Sequence, residues 1–354
     1  MNDMISTMNR VLAGAKIKGH CIKAEQARHQ AYFDIKLEPG FPFRRLKSRG
    51  EDIALGLRFK TQPIIRLIPE KGVVRIQAPV RDADLLPFEE LFFNTPLPAD
   101  YLLPFVLGET NEGEALCIDF AKNPHLLIAG GTGSGKSVLL HNLINNALWL
   151  HASKIRSTEL FLVDPKRVEF NKYKSSELDK VVRCVFHSYE ETVYMLETLV
   201  AFMEARYAHM ARLGITSVEE NPNLFISSIV VIDEISDLMM QDKKIGKLQD
   251  LIVTLAQKAR AAGIYLVLAT QRPSTDVLTG LIKANFPGRI ACKTASGTDS
   301  KVILDQPGAE NLLGRGDAIL RNMVIDHARF QVAFSTPDNT IKKFRELCLV
   351  YRNE

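Results

Sequence analysis

Eight consecutive residues, Gly130, Gly131, Thr132, Gly133, Ser134, Gly135, Lys136 and Ser137, carry the spacing G-x-x-x-x-G-K-S. Glycines let the backbone curl so that several N–H groups converge on one phosphate chain. A helix beginning at the end of the loop adds its partial positive charge. Lys136 supplies a cation for β- and γ-phosphates, and the Ser137 hydroxyl a ligand for Mg²⁺. The motif therefore predicts ATP and Mg²⁺ as ligands, with all eight residues around the phosphates. Downstream, Ile229-Val-Val-Ile-Asp233-Glu234 is an apolar run ending in two carboxylates. Asp233 is placed to hold the metal and Glu234 to orient or deprotonate water. A carboxylate beside the metal ligand has work to do only if water attacks, so the pair predicts hydrolysis rather than simple nucleotide binding.

Other residues are weaker candidates. Gln271, in Ala269-Thr-Gln-Arg-Pro273, ends another apolar run and could sense the γ-phosphate or its water. Arg260 stands near a helix end, where it either complements the dipole or reaches a neighbouring subunit's ATP as an arginine finger. Asp164-Pro165-Lys166 is either a structural turn or part of the nucleotide site. The basic residues Arg272, Lys283, Arg289, Lys293 and Lys301 cluster late in the chain and are candidates for phosphate-backbone contact.

The elements that must position these residues alternate in type. Strands are expected at His125–Ala129, Leu160–Val163, Ile229–Ile232, Ile264–Ala269 and Arg289–Cys292. Helices are expected at Glu190–Leu213, Ile245–Ala262 and Asp338–Arg352, with Gly214 and Gly263 as C-terminal caps. This is the pattern of an α/β domain with a parallel sheet covered on both faces. Ahead of it, Tyr32–Leu37 alternates like a strand, 48–59 has helical spacing, and 63–68 and 73–76 flank Glu70-Lys-Gly72 as a hairpin. Phe88–Phe93 reads as one more helical turn. The expected organisation is a leader over 1–20, a small α+β domain over 21–97 and an ATPase domain over 98–354, the boundary set at Pro96, Pro98 and Pro104.

Composition narrows the class. The 354 residues are 46% hydrophobic and 24% charged, as in ordinary globular proteins. A net charge of +4 permits a polyanionic partner without requiring one. Five scattered cysteines with no C-x-x-C indicate free thiols, and with no membrane-length apolar run or signal peptide the expected location is cytoplasmic.

The chain resembles the motor region of the FtsK/SpoIIIE DNA translocases over about residues 25 to 350. The resemblance rests on HLLIAGGTGSGKSVLLHNLI, LFLVDPKRVEF, MEARYAHMARLGI, IVVIDEISDLMM and the long stretch from LAQKARAAGIYLVLATQRP to LLGRGDAIL. It implies a RecA-like P-loop ATPase core that forms a hexameric ring around double-stranded DNA, with the early α+β unit as the family's α subdomain. It also implies that Arg260 acts across the subunit interface. Three departures stand out: no membrane domain precedes the motor, no winged-helix domain follows it, and Gly297 stands where relatives commonly carry lysine. A motor of this kind is expected to run either way on any duplex, unless an unidentified targeting partner sets direction. The readings that compete are a conjugation or protein-secretion motor and a slow nucleotide-gated DNA-binding scaffold.

Overall fold

The computed structural model describes residues 2–26, 30–59, 63–79, 85–242 and 246–351. The chain divides into two compact units, one of residues 1–85 and 111–114, the other of 86–110 and 115–354.

In the smaller unit the order is α1 (Asn2–Gly14), β1 (Gly19–Gln26), β2 (Gln30–Leu37), α2 (Phe43–Lys47), α3 (Gly50–Gly56), β3 (Ile64–Ile68) and β4 (Val73–Pro79). The four strands form an antiparallel sheet in the order β1-β2-β4-β3. The residues expected as a leader belong to this unit. Met8 and Leu12 of α1 and Ile17 beyond it are buried with Phe33, Ile35, Leu46, Ile53 and Ile76. A helix with that apolar stripe has a core to cover and does not stand apart.

The larger unit begins with α4 (Phe88–Asn94), β5 (Pro104–Thr110), β6 (Ala115–Asp119), β7 (Leu126–Ala129), α5 (Lys136–Ala152), β8 (Thr158–Val163), β9 (Val182–Phe186) and α6 (Tyr189–Leu213). It continues with β10 (Ser227–Ile232), α7 (Ile235–Asp242), α8 (Lys247–Lys258), β11 (Ile264–Thr270), α9 (Gly280–Asn285), β12 (Gly288–Cys292), α10 (Gly297–Leu304), β13 (Asp317–Arg321), β14 (Ala328–Val332) and α11 (Pro337–Val350). The compact units part at residue 85 rather than at 97. Phe88 and Phe92 of α4 are buried against Trp149 of α5, with ring centroids 4.8 and 5.4 Å away, which ties 86–97 to the larger core.

One ten-stranded sheet runs β6-β5-β14-β13-β12-β7-β11-β10-β8-β9. The stretch from β12 to β9 is parallel, and β13, β14, β5 and β6 extend it antiparallel. Its two faces carry separate apolar cores. The five expected strands are all present. The expected helix over 245–262 is shorter: α8 ends at Lys258, and Ile245 and Arg352 lie outside the described residues. Helix α6 is fixed by a Ser188/Glu191 capping box and ends on Gly214 in the left-handed conformation. Helix α5 is buried nearly all round, so polar residues on it must be satisfied inside. Asn146 does this by accepting the Val106 N–H at 2.8 Å and donating to the Val106 carbonyl at 3.0 Å, beside a register shift in β5.

Candidate active site

The glycine-rich loop joins β7 to α5, and two close approaches explain its composition. A Cβ on Gly130 would lie 2.6 Å from that of Cys292. Gly135 has a φ of 103°, and a Cβ there would lie 2.2 Å from the Gly316 nitrogen. Only glycine fits such a position. Segment 313–316 braces the loop from below: Gly316 N–H donates to the Ser134 carbonyl at 2.8 Å and Arg315 N–H to the Gly133 carbonyl at 3.2 Å. Behind it Asp317 and Arg329 form a buried bidentate pair, at 2.8 and 2.5 Å, and Asp317 also accepts the Leu313 N–H. The antiparallel half of the sheet thus holds the phosphate loop in place. Sequence reading missed this; the signal was Gly314-Arg-Gly-Asp317, which lies inside a conspicuous motif.

Lys136 opens α5, and its Nζ donates to Asp233 Oδ1 at 2.6 Å and to the Asp233 carbonyl at 2.9 Å. Both side chains are buried. Burial pushes the Asp233 carboxyl above its ordinary range; Lys136 opposes this, while the nearby charges of Glu169 and Asp164 add to it.

Glu234, at the same strand end, is surrounded by donors. Oε1 accepts from Thr270 Oγ1 at 2.7 Å and Ser236 Oγ at 2.6 Å, and the Gln271 N–H reaches Oε1 at 3.2 Å and Oε2 at 3.1 Å. Lys166 Nζ lies 3.4 Å from Oε2. Burial raises this pKa, but the hydrogen bonds and the Lys136 charge outweigh it, so Glu234 stays below its usual range and ionised. Gln271 Oε1 accepts from the Thr132 hydroxyl at 3.2 Å, linking the phosphate loop to the Glu234 strand end. The Asp164-Pro165-Lys166 turn thus brings Lys166 up to Glu234.

Ser137 has a partner in the turn after β8, inside the LFLVDPKRVEF stretch. Its hydroxyl donates to Glu169 Oε1 at 2.7 Å. Glu169 Oε2 lies 3.3 Å from His141 Nε2, and His141 holds this carboxyl below its usual range. Thr270, Ser236 and Glu169 were invisible as site residues because each is polar in a stretch already explained by a neighbour.

Arg260 is kept apart. It lies in the turn between α8 and β11, half exposed, 3.7 Å from Glu219. The phosphate loop is at the other end of β11, whose seven residues span about 20 Å. Arg260 does not reach its own chain's loop. Among the late basic residues, Arg272 and Lys301 are exposed, and the Lys293 carbonyl accepts the Gly131 N–H at 2.9 Å. Lys283 and Arg289 are turned onto Asp305, which also takes Arg321. That internal ion cluster occupies two of the five residues expected to face DNA.

A strand–loop–helix phosphate motif whose lysine meets the acid at the end of β10, a parallel strand separated from β7 by β11, defines a P-loop protein with a RecA-like α/β core. The family model for "FtsK/SpoIIIE family" matches residues 98–227 and 224–275, about half of the sequence. The chain is similar to the DNA translocase FtsK of Streptococcus pneumoniae (strain ATCC BAA-255 / R6), 35% identical over 356 residues, 96% of this chain and 45% of that protein. It is 36% identical over 322 residues to the DNA translocase FtsK of Lactococcus lactis subsp. cremoris (strain MG1363), covering 87% of this chain and 42% of that one. The chain belongs to the FtsK/SpoIIIE family, and it spans less than half the length of these relatives. Its fold is shared with the pCW3 conjugation coupling protein TcpA in its monomer form with ATPγS, with a TM-score of 0.64 and 24% identity over 97% of this chain and 99% of that one. It is shared too with the cytoplasmic domain of the type VII secretion ATPase EccC of Thermomonospora curvata, with a TM-score of 0.63 and 22% identity over 74% of this chain and 34% of that one. Among the described residues no helix is long and apolar enough to cross a membrane.

Proposed function

We propose that this chain is an ATP-hydrolysing motor that drives double-stranded DNA through a ring of identical subunits. The observation that carries the reading is the convergence of Lys136, Asp233, Glu234 and Gln271 on one loop, with Arg260 about 20 Å away at the far end of β11. A site built this way has its phosphate grip, its acid and its sensing amide in one subunit. The cation that would stabilise the transition state comes from another, which gives a reason for a ring.

Residues 130–137 would cradle the phosphates of ATP. The donors around them suit Mg²⁺, because Ser137 and Asp233 offer hard oxygen ligands. Among the described residues no cluster of three or more His, Cys, Asp or Glu could hold a metal alone. That fits an ion shared between one or two side chains, water and phosphates. Bound there, it would neutralise phosphate charge. Lys136 would leave Asp233 to meet the phosphates, Glu234 would orient the attacking water, and Gln271 would contact the γ-phosphate or that water. Of the five late basic residues, Arg272, Lys293 and Lys301 would meet a DNA backbone without leaving an ion pair with Asp305, which Lys283 and Arg289 would have to share.

The conjugation and secretion motors share this fold, but the relatives named DNA translocases are nearer in sequence. The test is ATP-dependent displacement of a third strand annealed along a linear duplex. Displacement that needs ATP and fails for Lys136→Ala supports translocation. ATP turnover with no displacement would sink it in favour of a protein substrate or a stationary scaffold.

A further inference from the structure

We propose that Glu169 is a further member of the metal-facing set at the phosphate loop, acting on Mg²⁺ through the ion's bound water. The proposal rests on the ATP–Mg²⁺ reading above. The Ser137 hydroxyl, which the loop motif assigns to the metal, donates to Glu169 Oε1 at 2.7 Å. Glu169 belongs neither to the glycine-rich loop nor to the Asp233-Glu234 strand end; it lies in the LFLVDPKRVEF stretch, on the turn after β8. Its other oxygen lies 3.3 Å from His141 Nε2, and His141 Nδ1 lies 3.1 Å from the buried Tyr173 hydroxyl. The backbone beneath it is pinned as well. Asp164 Oδ2 accepts the N–H groups of Glu169 and Phe170, each at 2.9 Å. Asp164 is fully buried, and its Oδ1 has no hydrogen-bond partner among the described residues. A buried carboxylate oxygen without a donor is costly and marks a place where a water or another donor fits.

Two carboxylates therefore flank the start of α5, with Asp233 on Lys136 and Glu169 on Ser137. Mg²⁺ gives up its waters reluctantly, so acids that face it through water contribute to holding it. A mere acceptor for the Ser137 hydroxyl could be neutral. An ionised one repels the ATP phosphates unless a cation lies between. The charge on Glu169 thus makes nucleotide binding depend on the metal, a signature that a structural cap lacks.

The experiment measures binding of a fluorescent ATP analogue by anisotropy, in EDTA and across a titration of free Mg²⁺, beside nucleotide-free thermal unfolding. For Glu169→Gln the Mg²⁺ midpoint should rise by roughly 10–100-fold, the range typical of a lost outer-shell partner. Affinity in EDTA should hold or improve. A midpoint within about twofold of the unaltered chain's, with only the melting temperature lowered, overturns the proposal, given that such a partner is worth tenfold or more. Should the Gln variant not fold, Glu169→Asp keeps the charge but withdraws it, and an intermediate rise is expected; an unchanged midpoint again overturns it. If the unaltered chain binds the analogue with no dependence on Mg²⁺, both this proposal and the ATP–Mg²⁺ reading fall. If the unaltered chain's binding depends on Mg²⁺ and the Glu169 variants keep its Mg²⁺ midpoint, this proposal falls alone.

Discussion

Replacing Asp233 by Asn should split nucleotide binding from metal binding in opposite directions. Without nucleotide, Lys136 is a buried cation whose compensation is the Asp233 carboxylate at 2.6 Å and the Asp233 carbonyl at 2.9 Å. Removing one partner of a buried pair typically costs about 3–5 kcal/mol; Asn keeps a neutral acceptor, so the lower end is expected. ATP would restore the lost compensation through its phosphates. The unaltered chain must first release Lys136 from Asp233, a charged hydrogen bond worth about 1.5–3 kcal/mol. Relieved of that step, and of a like charge beside the phosphates, Asp233→Asn should bind metal-free ATP roughly 10–100-fold more tightly. Added Mg²⁺ should strengthen binding to the unaltered chain and do little for the variant. Urea unfolding gives the first quantity and calorimetric titration in EDTA and in Mg²⁺ the second. Metal-free binding no tighter than that of the unaltered chain would refute the view that Lys136 is held off the phosphates by Asp233.

Glu234→Gln should bind ATP but release phosphate roughly 10²–10⁴-fold more slowly, as loss of a general base requires; near-normal turnover would remove Glu234 from that role. Arg260→Ala subunits should bind ATP yet not hydrolyse it, and mixing them with Lys136→Ala subunits should restore some activity. No rescue in verified mixed assemblies would leave Arg260 as a helix-end charge. His125 accepts the Leu266 N–H on Nδ1, and burial, aided by the Arg260 charge, drops its pKa to about 3. Because the folded pKa lies below the unfolded one, its stabilising contribution is full above about pH 6.5 and is lost as pH falls toward 3, at up to ~1.4 kcal/mol per unit. His125→Asn, which tolerates the φ of 65° here, should therefore close its stability gap with the unaltered chain by about 1.6 kcal/mol between pH 6.5 and 5 in urea unfolding, and a constant gap would contradict this.

The inner strands of the parallel half of the sheet were legible because buried strands such as Ile229–Ile232 are short apolar runs with chemistry at their ends. Strands β5, β6, β9, β13 and β14 were not. Their edge and antiparallel positions mix polar residues into the pattern: Arg183 lies in β9, and Arg329 and Gln331 in β14. Gly246 caps α8 in the left-handed conformation, so the helix begins at Lys247. At the site, the residues with fixed spacing around Lys136 were readable, and so was Gln271 at its strand end. Glu169 and segment 313–316 were not, because what they do depends on which strands become neighbours. The pairing of β12 with β13 and the seat of Gly316 under Gly135 are tertiary facts with no local periodicity. Lys283 and Arg289 show the converse. Their charge suggested an external partner, and the structure adds an internal one, Asp305, beyond reach of any local pattern.

In the proposed function, ATP hydrolysis at this site is coupled to duplex DNA. That coupling is tested most directly by the steady-state rate of phosphate release with and without long linear double-stranded DNA, the Glu234→Gln chain serving as the background. Mg²⁺-dependent turnover that duplex DNA raises severalfold is expected, with neither turnover nor stimulation in the variant. A rate that is the same with and without DNA, or that survives in Glu234→Gln, would contradict it.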